Sequence, residues 1–211
     1  MSKPLRKSDD SYPAGTIADK SFIQNADGGR FEQLRRDVVG CVKCPLCETR
    51  NKAVFGSGDR SAKLMFIGEA PGAQEDLEGE PFVGRAGQLL TKSLAGHHIA
   101  RSQVFITNIV KCRPPDNRDP LPLEIATCTP YLYEQIELIQ PDMICALGRY
   151  AAATLLGRPV KITLEHGQWL TYRDIPFMIA LHPSAALRSP KFREQFDYDI
   201  KLLAERFHQS D

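Results

Sequence analysis

The chain has 211 residues, of which 42% are hydrophobic and 25% are charged, and its formal net charge is +1. This composition is typical of one globular domain of ordinary size and excludes a chain that is disordered throughout. The apolar stretches are too short to cross a bilayer, and no apolar run follows the charged N-terminus as in a secretory signal. We therefore expect a soluble, cytoplasmic protein that does not associate with membranes.

Charge is distributed unevenly along the chain. Residues 69–80 carry only acidic charges, whereas residues 101–118 and 182–193 are mainly basic. A total near neutrality neither requires nor excludes a nucleic-acid partner, because phosphate contact depends on a local basic surface. The basic segments, which include Lys111 and Arg188, are predicted to be such surfaces or simply solvated loops.

The predicted elements begin after a polar N-terminal segment. Residues 1–27 show no periodicity and are predicted to form a flexible tail, and residues 28–211 are predicted to form one domain. Apolar residues recur at helical spacing from Phe31 to Val38, which predicts a helix that runs toward Cys41.

Four short apolar runs, each bounded by Gly, Pro or Asn, then alternate with helical patterns. The predicted strands are residues 63–67, 104–109, 143–147 and 177–181. The predicted helices are residues 87–95, 123–139, 148–156 and 191–207. This alternation predicts an α/β fold with a mostly parallel sheet covered on both faces. In such sheets ligands bind beyond the carboxyl ends of the strands, which directs attention to the loop after each strand.

The chain contains six cysteines, and without an export signal a disulfide framework is not expected. Cys41 and Cys44 form a C-x-x-C pair, and Cys112 and Cys128 lie far downstream. Two close thiolates and two distant ones can converge on one four-coordinate centre, either zinc or an iron–sulfur cluster. A redox-active C-x-x-C would leave the two distant cysteines unexplained. Cys47 forms a second C-x-x-C with Cys44 and is an alternative ligand.

The loop after the first predicted strand combines turn residues with carboxylates. Gly68, Ala70 and Gly72 belong to a tight turn whose backbone N–H groups can face a ligand. Glu69 and Glu75 flank this turn, and a carboxylate there can activate a water or stabilise a cationic transition state. An acidic surface loop is the alternative interpretation.

Two further positions suit the recognition of a base. Phe82 stands in a loop rich in Gly and Pro, where an aromatic face can stack on a nucleobase. Asn108 ends the second predicted strand and presents both a donor and an acceptor, which can read the N3–H and O4 edge of uracil. The alternatives are a loop anchor for Phe82 and a strand-end turn for Asn108.

The loop after the fourth predicted strand begins with His182, which can donate a hydrogen bond to a developing oxyanion. Leu187 stands beside Arg188 in the same loop. An apolar wedge next to a cation is suited to enter a base stack and to bind phosphate. A loop histidine with a purely structural role is the alternative for His182.

Together these segments resemble the uracil-DNA glycosylase superfamily, and specifically its family 4, the iron–sulfur, thermostable-type branch. The matching blocks are residues 68–76, 81–90, 106–115 and 182–188, in that order. The resemblance implies a three-layer α/β/α sandwich with a central, mostly parallel four-stranded sheet. It also favours a 4Fe–4S cluster over zinc, with the four ligands Cys41, Cys44, Cys112 and Cys128.

The resemblance implies hydrolysis of the N-glycosidic bond of deoxyuridine in DNA, which leaves an abasic site and initiates base excision repair. In this family Phe82 would stack on the extruded uracil, Asn108 would read its edge, and His182 would stabilise the uracilate oxygen. Glu69 would be the water-handling or cation-stabilising carboxylate, and Glu75 a supporting acid.

The resemblance also implies contacts to DNA. Leu187 would fill the gap left in the duplex, with Ser184 and Arg188 near phosphate. The expected partner is uracil-containing DNA, single- or double-stranded, and we expect a monomer associated with the nucleoid of a prokaryote.

Two segments depart from the family pattern. Some other glycosylase branches have Asp where this chain has Ala70, which supports the alternative of a non-catalytic iron–sulfur module that binds damaged DNA. Residues 165–167 read Glu-His-Gly instead of the Leu-Arg-Gly expected of this branch.

Overall fold

The computed structural model describes the backbone of residues 20–209 and the side chains of residues 29–209. Residues 1–19 of the predicted tail lie outside this described part, and the backbone of residues 20–27 belongs to the first helix. The helix predicted to begin near Phe31 is therefore present, but it begins at Lys20 and ends at Val39. No helix in the described residues is long and apolar enough to cross a membrane.

Helices and strands alternate along the described residues. The helices are α1 (Lys20–Val39), α2 (Leu46–Thr49), α3 (Ala73–Glu78), α4 (Arg85–Gly96), α5 (Pro122–Ile139), α6 (Arg149–Leu156), α7 (Ile162–Glu165), α8 (Pro183–Ala186) and α9 (Pro190–Gln209). The strands are β1 (Ser57–Gly58), β2 (Leu64–Gly68), β3 (Phe105–Asn108), β4 (Met143–Leu147), β5 (Trp169–Tyr172) and β6 (Ile175–Ala180). All four predicted strands and the four helices predicted after residue 80 are present, and their ends differ from the prediction by at most two residues.

The strands form one sheet with the order β1-β3-β2-β4-β6-β5. The four central strands pair in parallel, and the two edge strands pair antiparallel with their neighbours. The α/β class and the parallel core are thus confirmed. The parallel register also sets Gly68 opposite Asn108 and Leu147 opposite Ala180, so the central strands end at one common edge.

The predicted strand count of four is wrong, because two edge strands extend the parallel core. β1 has only two residues, which is too short to show an apolar pattern. β5 connects to β6 through a turn at Arg173 and Asp174, whose φ angles are 47° and 67°. Hairpin turns with positive φ usually contain Asn or Gly, so this hairpin lacks the usual sequence signal.

Side chains of β2 alternate between two hydrophobic clusters on opposite faces of the sheet. Met65 and Ile67 pack in the cluster built with α1, α5 and α6, whereas Leu64 and Phe66 pack in the cluster built with α4, α8 and α9. This period of two is expected of a strand that is buried on both faces. The three-layer α/β/α arrangement is therefore confirmed.

Candidate active site

Phe82 and Asn108 lie over the same backbone position at the end of β2. A Cβ added to Gly68 would lie 2.5 Å from the Phe82 ring and would also strike Oδ1 of Asn108. Glycine is therefore required there, because any side chain would displace the ring, the amide or both. Two side chains predicted from separate loops thus face one small space.

Asn108 brings an unpaired acceptor to this space. Its side chain is only 1% exposed. Among the described residues, Oδ1 of Asn108 is the one buried side-chain oxygen or nitrogen without a hydrogen-bond partner. Such an atom costs about 1–3 kcal/mol of stability. Native proteins rarely keep an unpaired buried acceptor without a reason, and a ligand that donates a hydrogen bond is one.

The loop that carries Phe82 is fixed in an unusual backbone conformation. Phe82 has a φ of 52°, a left-handed value that is rare for a bulky residue. One carboxylate oxygen of Glu75 accepts hydrogen bonds from the backbone N–H groups of Val83, at 3.1 Å, and Gly84, at 2.9 Å. A Cβ added to Gly87 would strike the Phe82 carbonyl, so α4 passes close behind the loop. Glu75 therefore anchors the loop that presents the ring.

The turn after β2 is held on both sides. The backbone N–H of Val110 donates to the carbonyl of Glu69 at 3.0 Å, which extends the contact between the ends of β2 and β3. Ala70 is half-buried and packs against the cluster that contains α1, α5 and α6. Gly72 caps α3, and a Cβ there would lie 2.7 Å from the second oxygen of Glu75.

His182 follows β6, which is separated by β2 and β4 from the strand β3 that ends at Asn108. Its ring centroid is 5.6 Å from that of Phe82, with the planes inclined by 37°. The backbone N–H of Ser184 donates to Nδ1 of His182 at 3.1 Å, and the Ser184 hydroxyl lies 2.8 Å from the same nitrogen. Because Nδ1 accepts a hydrogen bond, the proton of the neutral ring is on Nε2.

The electrostatic surroundings keep this histidine neutral. Burial lowers the pKa of His182 to about 4, and the positive charge of Arg188 acts in the same direction. A neutral ring with a proton on Nε2 is a hydrogen-bond donor that carries no charge of its own. This is the protonation state required to stabilise an oxyanion that forms at the ring edge.

A buried carboxylate holds the chain next to His182. Asp199, on α9, is fully buried, and it accepts hydrogen bonds from the backbone N–H of Leu181 and from Nδ1 of His166, both at 2.8 Å. Burial raises the pKa of Asp199, and His166 opposes that shift. The departure from the family pattern at residues 165–167 thus supplies the histidine that pairs with Asp199.

Glu69 lies close to the ion pair of Asp119 and Arg149. Burial raises the pKa of Glu69 to about 7, the negative charge of Asp119 acts in the same direction, and Arg149 opposes it. Asp119 accepts hydrogen bonds from Arg149 and from the Tyr150 hydroxyl, both at 2.7 Å. Arg149 directly follows Gly148, and a Cβ on that glycine would lie 3.1 Å from His182.

The residues predicted to contact DNA follow His182 at the surface. Leu187 is 40% exposed, and Arg188 is also exposed. The hydroxyl of Ser184 lies within hydrogen-bond distance of His182. An apolar side chain and a cation are therefore exposed in the segment that follows His182.

Five of the six cysteines line one cavity, together with Val110 and Lys111 from the segment after β3. Its cysteines are Cys41, Cys44, Cys47, Cys112 and Cys128. Arg50 donates a hydrogen bond to the Cys112 sulfur at 2.9 Å, and the backbone N–H of Lys111 donates to the Cys128 sulfur at 3.2 Å. Burial raises the pKa of the Cys112 thiol to about 11, and Arg50 opposes this shift. No group of three His, Cys, Asp or Glu in residues 29–209 could hold a single metal ion.

Comparison with known proteins identifies the family. Residues 55–204 match the family model of the uracil DNA glycosylase superfamily. This chain belongs to that superfamily.

Three relatives of this superfamily member carry the name type-4 uracil-DNA glycosylase. The protein of Archaeoglobus fulgidus is 41% identical over 185 residues, which cover 83% of this chain and 92% of the relative. The protein of Sulfurisphaera tokodaii is 43% identical over 186 residues, with coverages of 83% and 84%. The protein of Thermotoga maritima is 45% identical over 163 residues, with coverages of 75% and 84%. The predicted resemblance to family 4 is thereby confirmed.

Several residues around this glycosylase-type site were not predicted from the sequence. Lys111 and Asp199 are fully buried ionisable residues. Lys111 contacts the carbonyl of Asn108, and Asp199 contacts the backbone N–H of Leu181, next to His182. Asp119 and Arg149 stand near Glu69. Only Arg149 had a usable signal, because it opens the helix after the third predicted strand, where the strand-end rule directs attention.

Proposed function

We propose that the protein is a uracil-DNA glycosylase, which accepts a uracil flipped out of DNA and hydrolyses the bond between the base and C1′ of deoxyribose. The observation that carries this proposal is the unpaired, buried Oδ1 of Asn108, which stands over Gly68 beside the Phe82 ring. An acceptor held in that position is suited to a donor on the edge of a flat ligand.

Uracil supplies the complementary edge. Its N3–H can donate to Oδ1 of Asn108 while the amide N–H of the same side chain donates to O4, and the Phe82 ring can stack on the base face. Cytosine has an acceptor at N3 and an amino group at position 4, so neither hydrogen bond would form. Each buried polar group left unpaired in that way costs about 1–3 kcal/mol, which disfavours cytosine.

His182 would act on the leaving group. When the C1′–N1 bond breaks, its electron pair stays with uracil, and negative charge develops on O2. The neutral His182 ring can donate its Nε2–H to that oxygen. This hydrogen bond is weak with the neutral substrate and strengthens as charge develops on O2, so it stabilises the transition state more than the ground state. The low pKa of about 4 supports this role, because the ring stays neutral at physiological pH.

Glu69 would act on the sugar. As uracil leaves, positive charge develops at C1′, and a nearby carboxylate stabilises it. The oxygen of a water then bonds to C1′, and the carboxylate of Glu69 accepts the proton that this water releases. Its pKa of about 7 suits a group that must accept a proton near neutral pH.

The other residues of the first loop would act through position. The Glu75 carboxylate accepts two backbone hydrogen bonds from the Phe82 loop, which supports an anchoring role in place of proton transfer. Gly68 leaves the room for Phe82 and Asn108, and Ala70 and Gly72 complete the turn that surrounds Glu69.

Leu187, Arg188 and Ser184 would contact DNA around the extruded nucleotide. Extrusion costs a few kcal/mol, and a wedge that fills the vacated position compensates part of that cost. The exposure of Leu187 and Arg188 supports this assignment. We propose that the protein acts as a monomer on uracil-containing DNA at the chromosome.

We also propose that Cys41, Cys44, Cys112 and Cys128 hold a 4Fe–4S cluster. A single zinc ion needs its ligands about 2.3 Å from one centre, and the described residues contain no such group. In a cluster each thiolate binds a different iron, so cysteines spread around a cavity fit it better. Such a cluster would cross-link the segment after α1 to the loop after β3 and to α5. Cys47 lines the same cavity and is the alternative ligand.

Uracil release from defined oligonucleotides tests the proposed activity. Wild-type protein is incubated with single- and double-stranded oligonucleotides that contain one uracil, and alkali then cleaves any abasic sites. Strand cleavage at the uracil position, and none with cytosine there, is expected. Binding to uracil-containing DNA without cleavage under any condition would instead support a non-catalytic module that binds damaged DNA.

A further inference from the structure

Lys111 lies inside the molecule between Asn108 and the cysteine cavity. It is only 1% exposed, although lysine is rarely buried. Its ammonium group donates three hydrogen bonds: to the Thr107 hydroxyl at 2.6 Å, to the Gln135 side-chain oxygen at 2.6 Å, and to the main-chain carbonyl of Asn108 at 2.7 Å. All three donor positions of the ammonium are thus used.

The acceptors around Lys111 are themselves fixed. The Thr107 hydroxyl and the Gln135 amide both donate to the main-chain carbonyl of Phe55, at 2.9 Å and 2.8 Å. Gln135 belongs to α5 and Thr107 to β3, so the ammonium joins a helix to the end of a strand. The carbonyl of Asn108 is therefore held by a rigid network.

The backbone of Lys111 connects the same residue to the cysteine cavity. Its N–H donates to the sulfur of Cys128 at 3.2 Å, and its carbonyl accepts from the N–H of Val54 at 2.7 Å. Cys112 is the next residue in the chain. One residue thus contacts both the cysteine site and the end of the strand that carries Asn108.

A stabilising role alone does not explain a lysine in this position. Moving an ammonium ion out of water costs several kcal/mol, and replacing buried ions with apolar side chains of similar size often leaves stability unchanged or raises it. What an apolar side chain cannot do is donate to the Asn108 carbonyl. A buried lysine at this position is explained if fixing the position of Asn108 is more important to the protein than a higher free energy of unfolding.

We propose that Lys111 is a positioning residue for base recognition: it holds the main-chain carbonyl of Asn108 and so keeps the buried Oδ1 aimed at the N3–H of uracil. This inference rests on the proposed function of Asn108. Lys111 does not touch the base, and it acts only through Asn108.

A double-mutant cycle tests this role. Lys111→Met keeps the length of the side chain and removes the ammonium. We expect kcat/KM for uracil release to fall by about 100-fold, as for other misplacements of about 1 Å, and inhibition by free uracil to weaken. In an Asn108→Ala background, Lys111→Met should cause no further loss, because it acts through the side chain that is already absent.

Lys43→Met is the matched control. Lys43 also lines the cysteine cavity, but its ammonium lies over the Tyr131 ring at 4.7 Å from the centroid. Both lysine variants should keep the visible absorbance of an iron–sulfur cluster, and Lys43→Met should keep wild-type kinetics and wild-type inhibition by uracil.

The result that overturns the inference is an additive loss in the double variant, or wild-type inhibition by uracil in Lys111→Met. If Lys111→Met does not fold, Lys111→Gln replaces it, because this side chain is polar but shorter and so withdraws the donor from the Asn108 carbonyl. Wild-type kcat/KM together with wild-type inhibition by uracil in Lys111→Gln would then overturn the inference. Failure of the wild-type protein to release uracil would refute the proposed function itself, which is a separate outcome.

Discussion

The proposed base-binding space has one side formed by Asn108 and another formed by His182. A buried ionisable side chain supports each side, but the two supports differ. On one side, the buried Lys111, in the segment after β3, contacts the backbone of Asn108 itself and lines the cysteine cavity. On the other side, the buried Asp199 reaches from α9 to the backbone of Leu181, one residue before His182. Asn108 is buried, whereas the segment after His182 continues into exposed residues such as Leu187.

This difference suits the two proposed tasks, which are reading the edge of the base and stabilising the leaving uracil. Reading the edge of a base requires a fixed acceptor, and an enclosed position keeps that acceptor away from competing water. Stabilising a leaving anion requires a donor at an opening through which the nucleotide enters and the base departs. The comparison predicts that damage on the two sides affects different kinetic constants.

The largest effect is expected on the His182 side. His182→Ala should lower kcat by about 10²–10³-fold, with little change in KM, because the donor acts on charge that develops only in the transition state. Single-turnover kinetics on a uracil oligonucleotide measures this. Ser184→Ala is the control, because it removes the hydroxyl at 2.8 Å from Nδ1 and keeps the backbone donor at 3.1 Å. Equal losses in the two variants would contradict the assignment.

On the Asn108 side, activity and stability should change in opposite directions. Asn108→Leu should lower kcat/KM by about 100-fold, since two hydrogen bonds to the base are worth roughly 2–3 kcal/mol together. The same change removes a buried acceptor without a partner, so the free energy of unfolding should rise by about 1 kcal/mol. Urea denaturation beside the kinetic assay compares the two quantities. A parallel fall in both would mean that the variant is merely misfolded.

The two groups proposed to act on the glycosidic bond should also respond differently to pH. Between about pH 4 and pH 7, His182, with a pKa of about 4, is neutral, whereas Glu69, with a pKa of about 7, is protonated. We expect kcat/KM to rise about tenfold per pH unit up to neutrality and then to level, because the active form is the carboxylate. Glu69→Gln should be less active and should lack this rise. A wild-type profile that is flat below neutrality would exclude Glu69 as the titrating group.

The smallest effect is expected from the buried carboxylate behind His182. Asp199→Asn keeps the size of the side chain but weakens its hydrogen bonds with Leu181 and His166. We expect kcat to fall by about tenfold, which is less than a full displacement of the His182 ring would cause. Asp197→Asn on the same helix is the control, because its exposed pair with Arg193 contributes little. If the two variants have the same kcat, Asp199 does not position His182.

The fold was largely predictable because its core strands are continuous apolar runs. β4, for example, is buried along its whole length, and its sequence bounds were predicted without error. The edge strands were missed for a physical reason, since β1 and β5 are partly exposed and make fewer apolar contacts. Tertiary pairing, not local sequence, determines that such segments become strands.

Asn108 and His182, which we propose to contact the base, could be selected from the sequence because they lie at or just after the ends of strands, whereas the residues that support them could not. Lys111 lies in a basic segment predicted to be a surface, yet it is buried. Asp199 is one of several charged residues along α9, and its burial and its contacts with Leu181 and His166 distinguish it from its neighbours. Sequence patterns identify residue types at an edge, but the burial of a single ion depends on how distant elements pack together.

The left-handed backbone of Phe82 has a consequence for the speed of capture. Because Glu75 fixes the loop before any base arrives, the aromatic platform is ready on first encounter and no slow rearrangement has to follow. The chain bears the strain once, when it folds. Under the proposed function, each displaced nucleotide would then meet a ring that is already in place, and the rate of capture would depend on how readily the DNA releases its base.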